Sequence, residues 1–195
     1  MLAQAFAMVL DAAFDLVILA ALVRFWMQAL RAPARNPIAQ FSMALTDFLV
    51  RPLRRVIPGL MRLDAASLVA AWLLEFVLQF LLAMLFGSSP LEYPRVIPAL
   101  AFLALVELLR LSVYVFMGAI LIQVVLSWVS PHHPVAPFFD ALTRPLLRPV
   151  QRAIPPVGGV DISPLFVFIF LQLLLILPIG WLEQQALLLI RHAVP

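Results

Sequence analysis

Four apolar runs dominate this chain, and each is long enough to cross a bilayer. They are Leu2–Leu30, Ala65–Phe86, Ala99–Val129 and Pro164–Ile190, where about 20 residues suffice for a membrane-spanning helix. Hydrophobic residues make up 65% of the chain and charged residues only 12%, against roughly half and a quarter in soluble domains. A soluble fold of this length cannot hide so much apolar surface. The excess must face lipid, where the backbone is satisfied only in helices or closed barrels. The runs are too continuous for barrel strands, which alternate over about 10 residues. The fold class expected is therefore an all-α membrane protein with four transmembrane helices. The first run reads as a membrane helix rather than a cleavable leader, because no basic segment precedes it and Asp11 and Asp15 interrupt it.

The connectors set the topology. Residues 31–64 carry Arg31, Arg35, Arg51, Arg54, Arg55 and Arg62 against Asp47 and Asp64; residues 130–161 carry Arg144, Arg148 and Arg152 against Asp140 and Asp161. In the short middle connector, Glu92 and Arg95 cancel. Positively charged loops stay on the cytoplasmic side. Both basic connectors are thus expected in the cytoplasm, both termini outside, and the whole in the plasma (inner) membrane. All 13 basic residues are arginine and there is no cysteine, so disulfides and thiolate metal sites are excluded.

The two basic connectors repeat each other. Ala44-Leu45-Thr46 matches Ala141-Leu142-Thr143, Arg51-Pro52 matches Arg148-Pro149, Arg55 matches Arg152, Ile57-Pro58 matches Ile154-Pro155 and Asp64 matches Asp161, all at an offset of 97 residues. A gapless run of such matches signals duplication. The units are residues 1–90 (span 2–30, connector 31–64, span 65–86) and 91–195 (span 99–129, connector 130–161, span 164–190). Each holds an even number of spans, so the tandem copies run parallel and predict a pseudo-two-fold axis along the membrane normal. Each connector opens with an amphipathic stretch. Ile38, Phe41, Leu45, Phe48 and Leu49 share a face opposite Gln40, Thr46 and Asp47; Phe138, Leu142 and Leu146 do the same opposite Asp140 and Arg144. Such helices lie in the interface with Arg reaching lipid phosphates. Arg51-Pro52 and Arg148-Pro149 are expected to end them, since Pro disfavours helix in the residue before it. Ile57-Pro58 and Ile154-Pro155-Pro156 then read as stiff turns, and Gly158-Gly159 as a turn rather than a phosphate cradle.

These residues resemble the YggT family, called YlmG in other lineages. The likeness rests on NPIAQF, LTDFLVRPLRRVIPGLMRLDAASL and, in the second copy, LTRPLLRPVQRAIPPVGGVDISPL with Trp128. It covers both repeats and essentially the whole chain. The first copy departs at Gly59-Leu60-Met61-Arg62 and Ala66-Ser67, where Pro-x-Gly-Gly and Ser-Pro are usual. The resemblance implies a small helper protein of an energy-conserving membrane, connected with osmotic-stress tolerance, cell division or nucleoid distribution, or maturation of a membrane cytochrome. It supplies no substrate.

Candidate sites follow from charge placement. Arg51, Arg54, Arg55, Arg148 and Arg152 form a basic platform for anionic lipid head groups or an acidic protein partner, or simply anchor topology. Asp64 and Asp161 stand where the second span of each unit begins, as caps or as partners of connector arginines, with Ser67 and Ser163 as alternative caps. Within the spans lie Glu75, Gln172 at the same repeat position, Asp11 and Asp15 one turn apart, and Arg24, Glu107, Arg110 and Gln123. Charges at such depth face the protein interior and find partners; Arg110 is expected to meet Asp11 or Asp15. His132-His133 cannot easily serve one metal from a helix face. No phosphate loop, HExxH or nucleophile elbow is present, so no catalytic residue, metal or cofactor is expected, and no direct nucleic-acid contact. The leading reading is a non-enzymatic scaffold or assembly factor acting on lipids and an unidentified membrane protein. The alternative is an oligomeric ion channel or small-solute transporter with Glu75 in its path.

Overall fold

The computed structural model describes residues 1–57, 63–86, 90–130, 132–154 and 161–193. The expected turns at Pro58, at Gly59–Arg62, at Pro155-Pro156 and at Gly158-Gly159 lie outside the described residues. Helices α1 (Leu2–Ala29), α2 (Pro37–Val56), α3 (Ala65–Leu85), α4 (Val96–Val129), α5 (Ala136–Ala153), α6 (Ser163–Leu174) and α7 (Gly180–Ala193) follow in order, with a π turn at Leu175–Ile179 joining the last two. Four stretches are long and apolar enough to span a membrane: α1, α3, α4, and α6 through α7. At 34 residues, α4 is about 51 Å long at 1.5 Å per residue, so it tilts or protrudes from a ~30 Å hydrocarbon core.

Small residues bring the first two spans together. Ala20 and Ala21 of α1 and Ala66, Ala70 and Ala71 of α3 are all buried, and alanine at helix contacts lets backbones approach where lipid supplies no hydrophobic drive. Ile18 and Leu22 close this contact against Leu78 and Leu108. A second cluster joins the end of α1 (Met27), the chain after it (Ala32), α2 (Ala39), α4 (Ala119) and α5 (Phe138, Phe139, Leu142). Both connector helices therefore converge on the same end of the bundle. A third cluster seats α5 and α6 on α4 through Leu147, Val167, Leu171, Met117 and Ile120.

The packing of the spans departs from a closed two-fold. α4 touches α1, α3, α5, α6 and α7, whereas among the described residues α1 makes no contact with α6 or α7. The α3–α4 contact therefore has no counterpart, and the arrangement is open on one side of α4.

Two expectations about the connector helices need correction. Neither helix ends at its Arg-Pro pair: α2 continues through Pro52 to Val56 and α5 through Pro145 and Pro149 to Ala153. A proline inside a helix costs about 3 kcal/mol because the carbonyl four residues back loses its donor. All three prolines lie on exposed faces, where that carbonyl meets water or head groups, and residues beyond them, such as Leu53 and Val150, still pack on the core. The second correction concerns the face of α2. Its inner side carries Ala39, Ser42, Thr46 and Val50, all at most 2% exposed, while Phe41 and Phe48 point outward. The expected apolar face is split, with Phe41 and Phe48 exposed and Ile38 and Leu49 half-buried against the core, while a strip of small residues that includes Ser42 and Thr46 meets the bundle. The reason is the buried arginine described below, which needs polar partners. α5 follows the simpler expectation and buries Phe138 and Leu142, with Leu146 half-buried and Arg144 exposed.

Candidate functional site

The most developed polar site lies where α1, α2 and α3 meet. Asn36 starts α2 by accepting the Ala39 N–H at 2.9 Å, with Pro37 in the first turn. This places Thr46 and Asp47 two to three turns along, beside Arg24 of α1. Arg24 is 4% exposed. Its Nη1 donates to Thr46 Oγ1 at 3.0 Å and Asp47 Oδ1 at 2.7 Å, and its Nε stands 3.4 Å from Asp64 Oδ2. Thr46 in turn donates to the Ser42 carbonyl at 2.7 Å, so one hydroxyl serves both helices. Arg51 holds the other Asp47 oxygen at 2.6 Å.

Asp64 caps α3 and joins the same network. Its Oδ1 accepts the Ser67 N–H at 3.3 Å and Arg54 Nε at 3.2 Å; its Oδ2 accepts the Ser67 hydroxyl at 2.6 Å and pairs with Arg54 Nη2. Ser67 is thus a donor to the cap, not the cap. Burial pushes the Asp64 carboxyl up, but Arg54 and Ser67 outweigh it and hold it below the ordinary aspartate range. Asp47 is lowered as well, first by its bond to Arg24. Both carboxylates are charged, as their partners require.

The second unit keeps part of this geometry without the arginines. Gln151 donates to Asp161 at 2.8 Å, at the positions equivalent to Arg54 and Asp64. Thr143 donates to the Phe139 carbonyl at 2.9 Å, as Thr46 does to Ser42, and touches the side-chain amide of Gln123 of α4. Asp161 takes the first-turn N–H of Ser163 at 2.9 Å. Unlike Asp64 it is exposed. Burial raises its carboxyl, and Ser163 and Gln151 more than compensate. The Ser163 hydroxyl is buried without a hydrogen bond.

The remaining sequence candidates fall in different places. Arg55, Arg148 and Arg152 are exposed and have no ion pair among the described residues; Arg51 and Arg54 are spent partly on Asp47 and Asp64. Arg110 does not meet Asp11 or Asp15. It pairs with Glu107 at 2.9 Å, one turn back on α4, and with Glu183 of α7, because α7 and not α1 packs on that face of α4. Glu75 is 2% exposed and accepts a hydrogen bond from Gln79 at 2.9 Å. Gln172, its repeat counterpart, is exposed on the outside of α6, so the two do not meet. His132 and His133 are exposed. No group of three His, Asp or Glu among the described residues is placed to hold a metal. Arg24, Thr46 and Glu183 hold more of these contacts than their places in the sequence imply. Thr46 had a signal, since Ala-Leu-Thr recurs in both connectors; Glu183 had none without knowing that α7 lies on α4.

These features define a class: a multi-pass α-helical membrane protein whose two helix–connector–helix units are fastened at one end by buried polar contacts. The chain matches the CCB3/YggT family twice, over residues 3–85 and 102–182, and it belongs to that family. It is 38% identical over 162 residues to an uncharacterised protein of Pseudomonas aeruginosa, covering 82% of this chain and 81% of the relative. It is 37% identical over 161 residues to an uncharacterised protein of Vibrio alginolyticus (82% and 85%), and 31% identical over 166 residues to the uncharacterised protein YggT of Escherichia coli K12 (85% and 84%). No solved structure matches the chain.

Proposed function

We propose that the protein is a non-enzymatic scaffold or assembly factor of the inner membrane, with both connector helices on the cytoplasmic face. It acts on anionic lipid head groups and a membrane protein partner, in envelope maintenance under osmotic stress, cell division or maturation of a membrane cytochrome. The observation that carries this reading is the pairing of rigid anchoring with free charge. Both connector helices are fixed to the spans by buried contacts, while Arg55, Arg148 and Arg152 remain exposed without ion pairs among the described residues. A guanidinium held on an ordered helix offers a planar fork for phosphate or carboxylate. Complementation of a deletion strain under osmotic shock tests it. Replacing Arg55, Arg148 and Arg152 together with Gln is expected to abolish rescue, and Glu75→Gln to preserve it; the reverse pattern overturns the reading.

One observation favours a second reading, an oligomeric channel or transporter. Glu75 is buried mid-span with Gln79 as its hydrogen-bond partner and no ion pair among the described residues. Ion flux in liposomes that is lost in Glu75→Gln would put this reading first, and no flux across several ions and gradients would remove it.

A further inference from the structure

The two units differ in one systematic way. A cavity of about 470 Å³ opens beside the connector end of α1, lined by Arg24, Arg31 and Arg54 together with Met27, Ala32 and Met43. At the 97-residue offset, these three arginines are replaced by Leu121, Trp128 and Gln151. The exposed arginines Arg51 and Arg55, by contrast, recur as Arg148 and Arg152. In the second unit Gln151, not an arginine, holds the carboxylate of Asp161. Arg24 and Arg54 help fasten the first unit's connector through Asp47 and Asp64, whereas Arg31 makes no ion pair among the described residues.

The charge there is not fully matched. Asp47 and Asp64 serve Arg24, Arg51 and Arg54. Arg31 has no side-chain hydrogen bond or ion pair among the described residues, and the Nε of the buried Arg24 has no hydrogen bond. Arg31 also sits at φ 55, left-handed backbone that favours glycine and costs another residue about 1–2 kcal/mol. Its N–H bonds the Gln28 carbonyl and the Ala32 N–H the Met27 carbonyl, at 3.2 and 2.8 Å. This is the helix-ending motif that glycine usually completes. An arginine stands where the backbone asks for glycine, and its side chain lines the cavity.

We propose that this cavity binds the phosphodiester of an anionic phospholipid, one lipid per chain. Arg24 lies five residues inside the end of α1, about 7.5 Å along the axis, which sets the cavity at head-group depth. The guanidiniums take the phosphate oxygens, and Met27, Met43 and Ala32 form the apolar wall along which the glycerol and first methylenes lie. A free phosphate would use the same guanidiniums but not that wall. The proposal shares the membrane placement of the proposed function and does not require a protein partner.

Native mass spectrometry of the purified full chain, loaded with dioleoylphosphatidylglycerol or dioleoylphosphatidylcholine, tests it. The wild type is expected to retain one phosphatidylglycerol in preference to phosphatidylcholine. Arg31→Gly and Arg54→Gln should each lower that retention about fivefold, the worth of one arginine near an anionic lipid. Arg144→Gln, which removes one exposed charge from the other connector, should not. Arg31→Gly relieves the left-handed position, so its melting temperature should hold or rise and a binding loss cannot be a folding loss. Equal retention of the two lipids, or an equal loss in Arg144→Gln, overturns the site. Displacement of the lipid by millimolar inorganic phosphate overturns the lipid as its occupant. Loss of lipid retention with osmotic rescue intact separates this site from the scaffold function.

Discussion

Arg24→Leu puts into the first unit the residue that the second unit carries at the same place, Leu121. Leucine fills much of the volume, so the change is chiefly electrostatic. Three contacts go: to Thr46 at 3.0 Å, Asp47 at 2.7 Å and Asp64 at 3.4 Å. Hydrogen bonds to charged groups contribute about 1.5–3 kcal/mol each, and stripping a partner from a buried charge costs about 3–5 kcal/mol. Neither carboxylate is left alone, however. Asp47 keeps Arg51, and Asp64 keeps Arg54 and Ser67. The expected loss is therefore at the low end, about 3 kcal/mol. Reversible unfolding in mixed micelles, followed by circular dichroism, measures it. A cycle with Asp47→Asn isolates the pair, with an expected coupling of about 1–2 kcal/mol. A loss in Arg24→Leu below about 0.5 kcal/mol, the size of an ordinary surface change, would refute the view that this arginine fastens α2 to α1 and α3.

The same carboxylates predict a pH dependence. Asp47 and Asp64 have folded values below their ordinary one, so the stability they add is fully present above the unfolded aspartate value and is lost as pH falls through the folded values. Acid titration should release the connector only below about pH 4, and in Arg24→Leu the release should move to higher pH, read by hydrogen exchange of α2 amides. Arg110→Leu strips the partner from Glu107 and Glu183 and should cost about 3–5 kcal/mol in micelle unfolding, far more than Asp11→Asn, because Asp11 has no ion pair among the described residues. On α2, Ala39→Leu should destabilise by about 1–3 kcal/mol through overpacking, whereas Phe48→Asp should keep the fold and instead reduce the quenching, by lipid-borne quenchers, of a fluorophore attached to α2. Equal unfolding losses in the two variants would contradict the outward face of that helix.

Much of the architecture was decided locally. Hydrocarbon thickness selects any sufficiently long apolar run, so the four spans could be read from the chain alone, and the gapless 97-residue repeat exposed the two units and their connectors. The Asp64 cap and the Asp161 bond to the Ser163 N–H were legible for the same reason, since both answer to residues within one turn. Other features depended on which helices become neighbours. Arg110 finds Glu183, 73 residues away, because α7 covers α4 where α1 does not. The helical pattern of α2 marked an apolar and a polar face, but only the neighbouring Arg24 decided that Thr46 and Ser42 turn inward while Phe41 and Phe48 turn out. Pro52 and Pro149 could pass through their helices because those faces are exposed. Local sequence sets what each segment can become. The desolvation of a few charges, which depends on every neighbour at once, set which faces meet, and that could be decided only in the tertiary structure.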